Sequence, residues 1–319
     1  MRVGISVVLL IFLFKHVDKK SLFEVIRNAD SGVLLFAFFV FFFNYLFCLL
    51  RWQMLLKAFD INLALKRVII SFCGGIFFNL FLPSTIGGDL MRSLDLAAHT
   101  HKPKEVLATV LLDRLSGFVG LVIVTLTALA FGWKLIQDKA VVVAVAIISA
   151  ILIAILLVLF NSFFYNQINR LFSSPRAGRI REAIKNLHHE LHIFRQKKKV
   201  IILNLIYSLL IQAVLPVTFY ITALSLGLNK NIIYYFVLIP VIGAITLLPI
   251  SIGGLGLRDA TMIYFFAKIG VSKDLAFAMS LLNFAFVIIY GALGGLVYVL
   301  TVHHRRIQHL ESSAVPPKQ

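Results

Sequence analysis

Leu82-Pro83-Ser84-Thr85-Ile86-Gly87-Gly88-Asp89-Leu90-Met91-Arg92 returns later in the chain, without a gap, as Leu248-Pro249-Ile250-Ser251-Ile252-Gly253-Gly254-Leu255-Gly256-Leu257-Arg258. Leu, Pro, Ile, both Gly and the final Arg are identical, and Thr85 faces the hydroxylated Ser251. Both copies lie between apolar stretches. Proline removes a backbone donor, a glycine pair permits a sharp turn, and arginine is costly in hydrocarbon. Finding all of them twice in one register points to two related halves, each with a helix broken inside a membrane.

The surrounding sequence fixes the solvent. Of 319 residues, 60% are hydrophobic and 14% charged, and the mean hydropathy is +0.94. That balance describes an all-α polytopic membrane protein, with one transmembrane domain over 1–319. The net charge of +17 fits basic loops against anionic lipid and not a nucleic-acid partner. Cys48 and Cys73 fall within apolar runs and read as small core residues. Arg2 and the apolar residues after it resemble a signal peptide, but Lys15-His16 stands where a cleavage site needs small residues. Residues 3–17 are therefore expected to stay as a first span.

About six full spans are expected, at 3–17, 31–50, 105–131, 139–163, 200–226 and 274–302. Two hairpins, 68–94 and 232–270, carry the repeated phrases at 82–92 and 248–258. The basic residues of 166–199 place that segment in the cytoplasm. Alternation then puts both termini inside, together with 51–67 (Arg51, Lys57, Lys66, Arg67), and puts 18–30, 132–138 and 227–231 outside. The first hairpin opens inside and the second outside, an inverted-topology pair. A bacterial or archaeal plasma membrane is the expected location. Residues 18–30 and 180–194 read as helices lying in the interface. His188-His189-Glu190-Leu191-His192 reads as a solvated face of the second and not as a metal site.

The chemistry concentrates at the breaks. A helix can restart at Asp89 and at Leu257-Arg258-Asp259, and the free amides and dipole of a helix start favour an anion. Gly87, Gly88, Gly253 and Gly254 allow close backbone approach, while Arg92 and Arg258 place a planar donor fork about one turn on. Together the two breaks are expected to form a phosphate-sized pocket near the midplane. The competing structural reading has the glycines serving helix packing and each arginine neutralised by Asp95 or Asp259. Asp113-Arg114 is the other expensive pair; adjacent residues point to different helix faces, so each needs a partner elsewhere, Arg92 being the candidate for Asp113. Asp89 has Leu255 opposite it, which makes the two copies unequal in charge. No phosphate-loop motif occurs, so no ATPase and no cofactor are expected.

Three elements in order carry a resemblance: Asn79-Leu80-Phe81-Leu82-Pro83 running into Gly87-Gly88-Asp89 and Arg92, then Leu112-Asp113-Arg114, then Pro249 through Arg258. With these, the chain resembles the flippase-like membrane family related to the transmembrane half of lysylphosphatidylglycerol synthases. The resemblance implies lipid translocation, with an anionic phospholipid or a lipid-linked molecule as substrate. The full-length synthases also carry a soluble aminoacyl-transfer domain that this sequence lacks, so lipid synthesis is not expected. Two other classes share part of the pattern: an integral-membrane transferase acting on a lipid-linked substrate, and an ion-coupled anion transporter.

Overall fold

A computed structural model describes residues 19–82, 87–100, 102–135, 139–160, 197–246 and 254–314. The expected first span at 3–17, the segment 166–196 with its amphipathic stretch, and the phrase residues 83–86 and 247–253, Gly253 among them, lie outside the described residues. All described regular structure is helical: α1 (Lys19–Arg27), α2 (Ser31–Ala58), α3 (Leu65–Phe81), α4 (Gly87–Thr100), α5 (Pro103–Phe131), α6 (Lys139–Phe160), α7 (Lys198–Ser225), α8 (Ile232–Thr246), α9 (Leu257–Ala267) and α10 (Lys273–Ala314). Helices α2, α5, α7 and α10 are long and apolar enough to cross a bilayer, and α6 has 22 residues. The molecule is a polytopic helical membrane protein.

Local chemistry sets several boundaries. Asp30 caps α2, its carboxylate accepting from the amides of Gly32 (2.8 Å) and Val33 (3.0 Å). Pro103 opens α5, where a missing amide proton costs nothing. In the second phrase Gly254 holds φ at 78° and Gly256 at 79°, the left-handed region that a side chain disfavours. Asp259 then accepts from the Gly256 amide at 2.9 Å and starts α9. One expectation is corrected here: the helix expected over 31–50 does not end there, and 51–58 form the last turns of α2. The apolar run simply continues through Trp52, Leu55 and Leu56, all buried, and carries Arg51 with it.

Both hairpins are present as α3–α4 and α8–α9. At 1.5 Å per residue their arms are about 25, 21, 22 and 16 Å long, each shorter than a ~30 Å hydrocarbon core. Three membrane-length helices, α5, α6 and α7, separate them, and the polar, basic sequence of 161–196 holds no further crossing run. Three intervening helices is the odd number that an inverted-topology pair requires. Packing repeats the relationship. Each half runs long helix, hairpin, long helix: α2, α3–α4, α5, then α7, α8–α9, α10. The two leading helices, α2 and α7, pack together, while α10 packs on α3 and, reciprocally, α5 packs on α8. Each half also has its own core, one around Trp52, Phe72 and Leu96, the other around Tyr235, Met262 and Phe266.

Candidate functional site

Helices α3 and α4 meet backbone to backbone. A Cβ on Gly88 would collide with the Gly75 carbonyl oxygen and the Asn79 amide, and one on Gly75 would lie 3.0 Å from the Gly88 carbonyl oxygen. Asn79 uses that closeness, accepting from the Gly88 amide at 2.9 Å. The open end of the hairpin is tied by Arg67, which donates to Asp95 at 2.6 Å, while Ser71 donates to the other Asp95 oxygen. Asp95 thus serves Arg67 and not Arg92.

The hairpin delivers Asp89 and Arg92 to a cluster shared with α2, α5 and α7. Arg92 donates to Asp113 at 2.8 Å and to Asp89 at 3.1 Å. Arg51 donates to the other Asp113 oxygen at 2.7 Å and to the Ser208 hydroxyl at 2.9 Å. Arg114 donates to the remaining Asp89 oxygen. Arg51, Asp89, Arg92 and Asp113 are each less than a tenth exposed, whereas the Arg114 side chain keeps 36% of its surface. Arg92 lies over Trp52, its guanidinium carbon 4.5 Å from the ring centroid, and its Nη1 has no hydrogen-bond partner among the described residues. Counting along the helices, Asp113 is about 15 Å from the start of α5 and Arg51 about 10 Å from the end of α2. The charges are well inside the bundle. Among the described residues the cluster sets three guanidiniums, Arg51, Arg92 and Arg114, around two carboxylates, Asp89 and Asp113.

These side chains line a cavity of about 330 Å³. Its walls come from α2, α3, α4, α5 and α7, and from α8 of the second hairpin through Pro240 and Gly243. Beyond the charges the lining turns neutral, with Asn44 and Gln212 and then Leu121, Leu215 and Ile239.

The sequence-derived candidates therefore separate. Asp89, Arg92, Asp113 and Arg114 come together, and Arg92, the candidate partner of Asp113, does bond it. Gly87 and Gly88 form the start of α4, where they set its approach to α3. Arg258 is not in the cavity lining. It donates to Asp259 at 2.9 Å and to Ser280 at 2.9 Å, and lies over Phe284 at 4.8 Å. Asp259 is fully buried and is also bonded by Ser280 at 2.5 Å. Gly254 serves the turn beside it. The expected single pocket formed by both arginines is not what the described residues build: the second phrase neutralises its own arginine, and the first shares its charge across four helices. Arg51, Ser208 and Gln212 were missed from sequence. Asn204, Ser208 and Gln212 recur every four residues in an otherwise apolar run, and Asn44, Cys48 and Arg51 share one face of α2. Those stripes are the signal.

A model of the lysylphosphatidylglycerol synthase TM region matches residues 1–295. A UPF0104 membrane protein of Pyrococcus horikoshii is 24% identical over 306 residues, covering 88% of this chain and 90% of the relative. One from Methanothermobacter thermautotrophicus is 24% identical over 304 residues, covering 88% of each, and a second from that organism is 22% identical over 260 residues, covering 73% of each. No solved structure matches the chain.

Proposed function

The chain belongs to the family of the lysylphosphatidylglycerol synthase transmembrane region, and from that premise we propose that it moves an anionic lipid between leaflets, seating the head group in the cavity beside Arg92 and Arg114. The observation that carries this reading is the set of three guanidiniums, Arg51, Arg92 and Arg114, lining one cavity within a membrane bundle. Planar guanidinium forks beside a cavity give a phosphate charge-assisted hydrogen bonds that water-filled space does not. The volume is that of a head group, not of a whole lipid, so the acyl chains stay in the bilayer. The basic residues of 51–67 and 166–199 support a reading in which α3–α4 opens to the cytoplasmic side, with the chain termini on the same side. The second hairpin, with its arginine internally neutralised, is the counterpart that moves against the first as access alternates.

Purified protein in liposomes provides the test, with a fluorescent phosphatidylglycerol analogue loaded into one leaflet and its arrival in the other read by chemical quenching. Wild-type protein is expected to speed exchange over protein-free liposomes. Arg114→Ala removes a charge-assisted contact worth about 1.5–3 kcal/mol, so it should slow exchange about tenfold or more. Arg92→Lys keeps the charge, loses the planar fork and should fall between the two. Exchange that is no faster than in empty liposomes, or is unaltered by both substitutions in folded protein, refutes the proposal.

A further inference from the structure

We propose that His99 is a proton-sensitive catch on the first hairpin: the neutral imidazole holds α4 against α3, and the imidazolium releases it, together with the Asp89–Arg92 wall of the cavity. As a regulation of lipid movement this rests on the reading above; as a property of the hairpin it stands alone. The ground is a conflict at one atom. His99 Nδ1 lies 2.9 Å from Nη2 of Arg67 on α3 and 2.7 Å from the carbonyl oxygen of Asp95 on its own helix. A guanidinium can only donate and a carbonyl can only accept. Nδ1 therefore needs a lone pair for the first bond and a proton for the second, and it cannot have both. Neutral His99 with its proton on Nε2 accepts from Arg67, which ties the two arms of the hairpin. The imidazolium always carries a proton on Nδ1, so it can only donate to Asp95, one turn back in the same helix. It also sets a second positive charge beside Arg67.

The surroundings make that conflict matter. Among the described residues, the hydrogen bonds of Arg67 all leave from Nη2, to Asp95 at 2.6 Å and to His99, while its buried Nε has no partner. His99 is exposed, so bulk protons reach it, and imidazole is the side chain that changes charge near neutral pH. An imidazolium also competes with Arg67 for the Asp95 carboxylate, replacing a tie between helices with one inside α4. The other titratable groups at this end are Lys66 beside Arg67, Lys102, Lys104 and Glu105 at the start of α5, and Tyr298 of α10, which is within electrostatic reach of Arg67 and Asp95. Lys102 donates to the Asp60 carbonyl at 3.3 Å. Among the described residues, none of these groups bonds the imidazole. Arg92, Asp95 and His99 follow at spacings of three and four on one face of α4, with His99 about 10 Å along the helix from Arg92. Helix α4 is a single rod of 14 residues. It is pinned by the cavity cluster and by the Arg67 tie, and losing the second leaves it pivoting on the first.

The full chain in lipid nanodiscs is followed by hydrogen exchange at about pH 7.5 and about pH 5.5, each amide rate being divided by its intrinsic rate at that pH. Protection of residues 96–100, the last turn of α4, should fall about tenfold at the lower pH, the scale of one hydrogen bond to a charged group. His99→Gln keeps an acceptor for Arg67 that takes no proton, so it should stay protected at both pH values. His99→Lys carries the charge throughout and should be loose at both. The two variants separate His99 from Glu105 and from His101, which stands two positions on in the sequence. An unchanged wild type, a fall in His99→Gln as large as in wild type, or a protected His99→Lys overturns the catch. Lipid exchange in the liposome assay above should quicken by a similar factor on acidification in wild type and not in His99→Gln. If only hydrogen exchange responds, the catch stands and its control of lipid is overturned. Lipid exchange that is absent at both pH values removes the lipid reading, while hydrogen exchange still decides the catch.

Discussion

Replacing Asp113 by Asn tests whether the buried cluster is a cooperative unit. The change keeps shape and volume but removes the carboxylate that touches both Arg51 and Arg92, at 2.7 and 2.8 Å. The new amide can accept from one guanidinium, but its NH₂ then faces the donors of the other. The two guanidiniums then share one fewer anion within a region where Arg51, Asp89, Arg92 and Asp113 are each less than a tenth exposed. Removing one partner of a buried pair costs about 3–5 kcal/mol, and two pairs are broken here, so the upper part of that range is expected. The measurement is reversible unfolding in mixed micelles, titrated with a denaturing detergent and followed by helical ellipticity. Removing Arg51 together with Asp113, as Arg51→Met with Asp113→Leu, restores the charge balance around Arg92, which keeps Asp89. That double variant should cost less than the sum of its single changes by about 1–3 kcal/mol. A cost of about 1 kcal/mol or less for Asp113→Asn, the range of an exposed bridge, refutes the reasoning, as does strict additivity in the cycle.

Two further outcomes follow from packing and capping. Gly88→Ala should destabilise by about 3 kcal/mol, because the added methyl meets the Gly75 carbonyl, which cannot yield without moving α3. Gly243→Ala, where a Cβ meets nothing within 4 Å, should be neutral or stabilising by up to about 1 kcal/mol in the same unfolding assay. Asp30→Ala should cost about 1 kcal/mol by freeing the amides of Gly32 and Val33, and Asp30→Ser should recover most of it. If the alanine and serine variants unfold alike, the cap contributes nothing.

Much of the fold is written in local chemistry. Runs of apolar residues set the long helices, because a backbone in hydrocarbon must satisfy its own hydrogen bonds and helix length must match bilayer thickness. The repeated Pro, Gly-Gly and Arg located both hairpins, since each residue type acts on its own backbone. The number of helices between them matches what an inverted pair requires. The Arg92–Asp113 pair was legible because two lone charges in apolar sequence must find each other.

Arg51 was not legible. At the edge of an apolar run an arginine reads as a cytoplasmic anchor, and nothing nearby says otherwise. Its burial is decided by Asp113 and by Ser208, 62 and 157 residues away along the chain. The fate of the two phrases was hidden for the same reason. Their residues match closely, yet Arg258 is neutralised by the residue beside it while Arg92 is shared among α2, α4 and α5. Sequence by itself determined where helices run, break and turn, because propensity, capping and hydrophobic length act over a few residues. Tertiary structure alone decided which charges face one another across the bundle, and hence that one phrase lines a cavity and the other pairs its arginine with its own aspartate. Electrostatic balance in a low-dielectric interior depends on distances between helices, and those are set by packing.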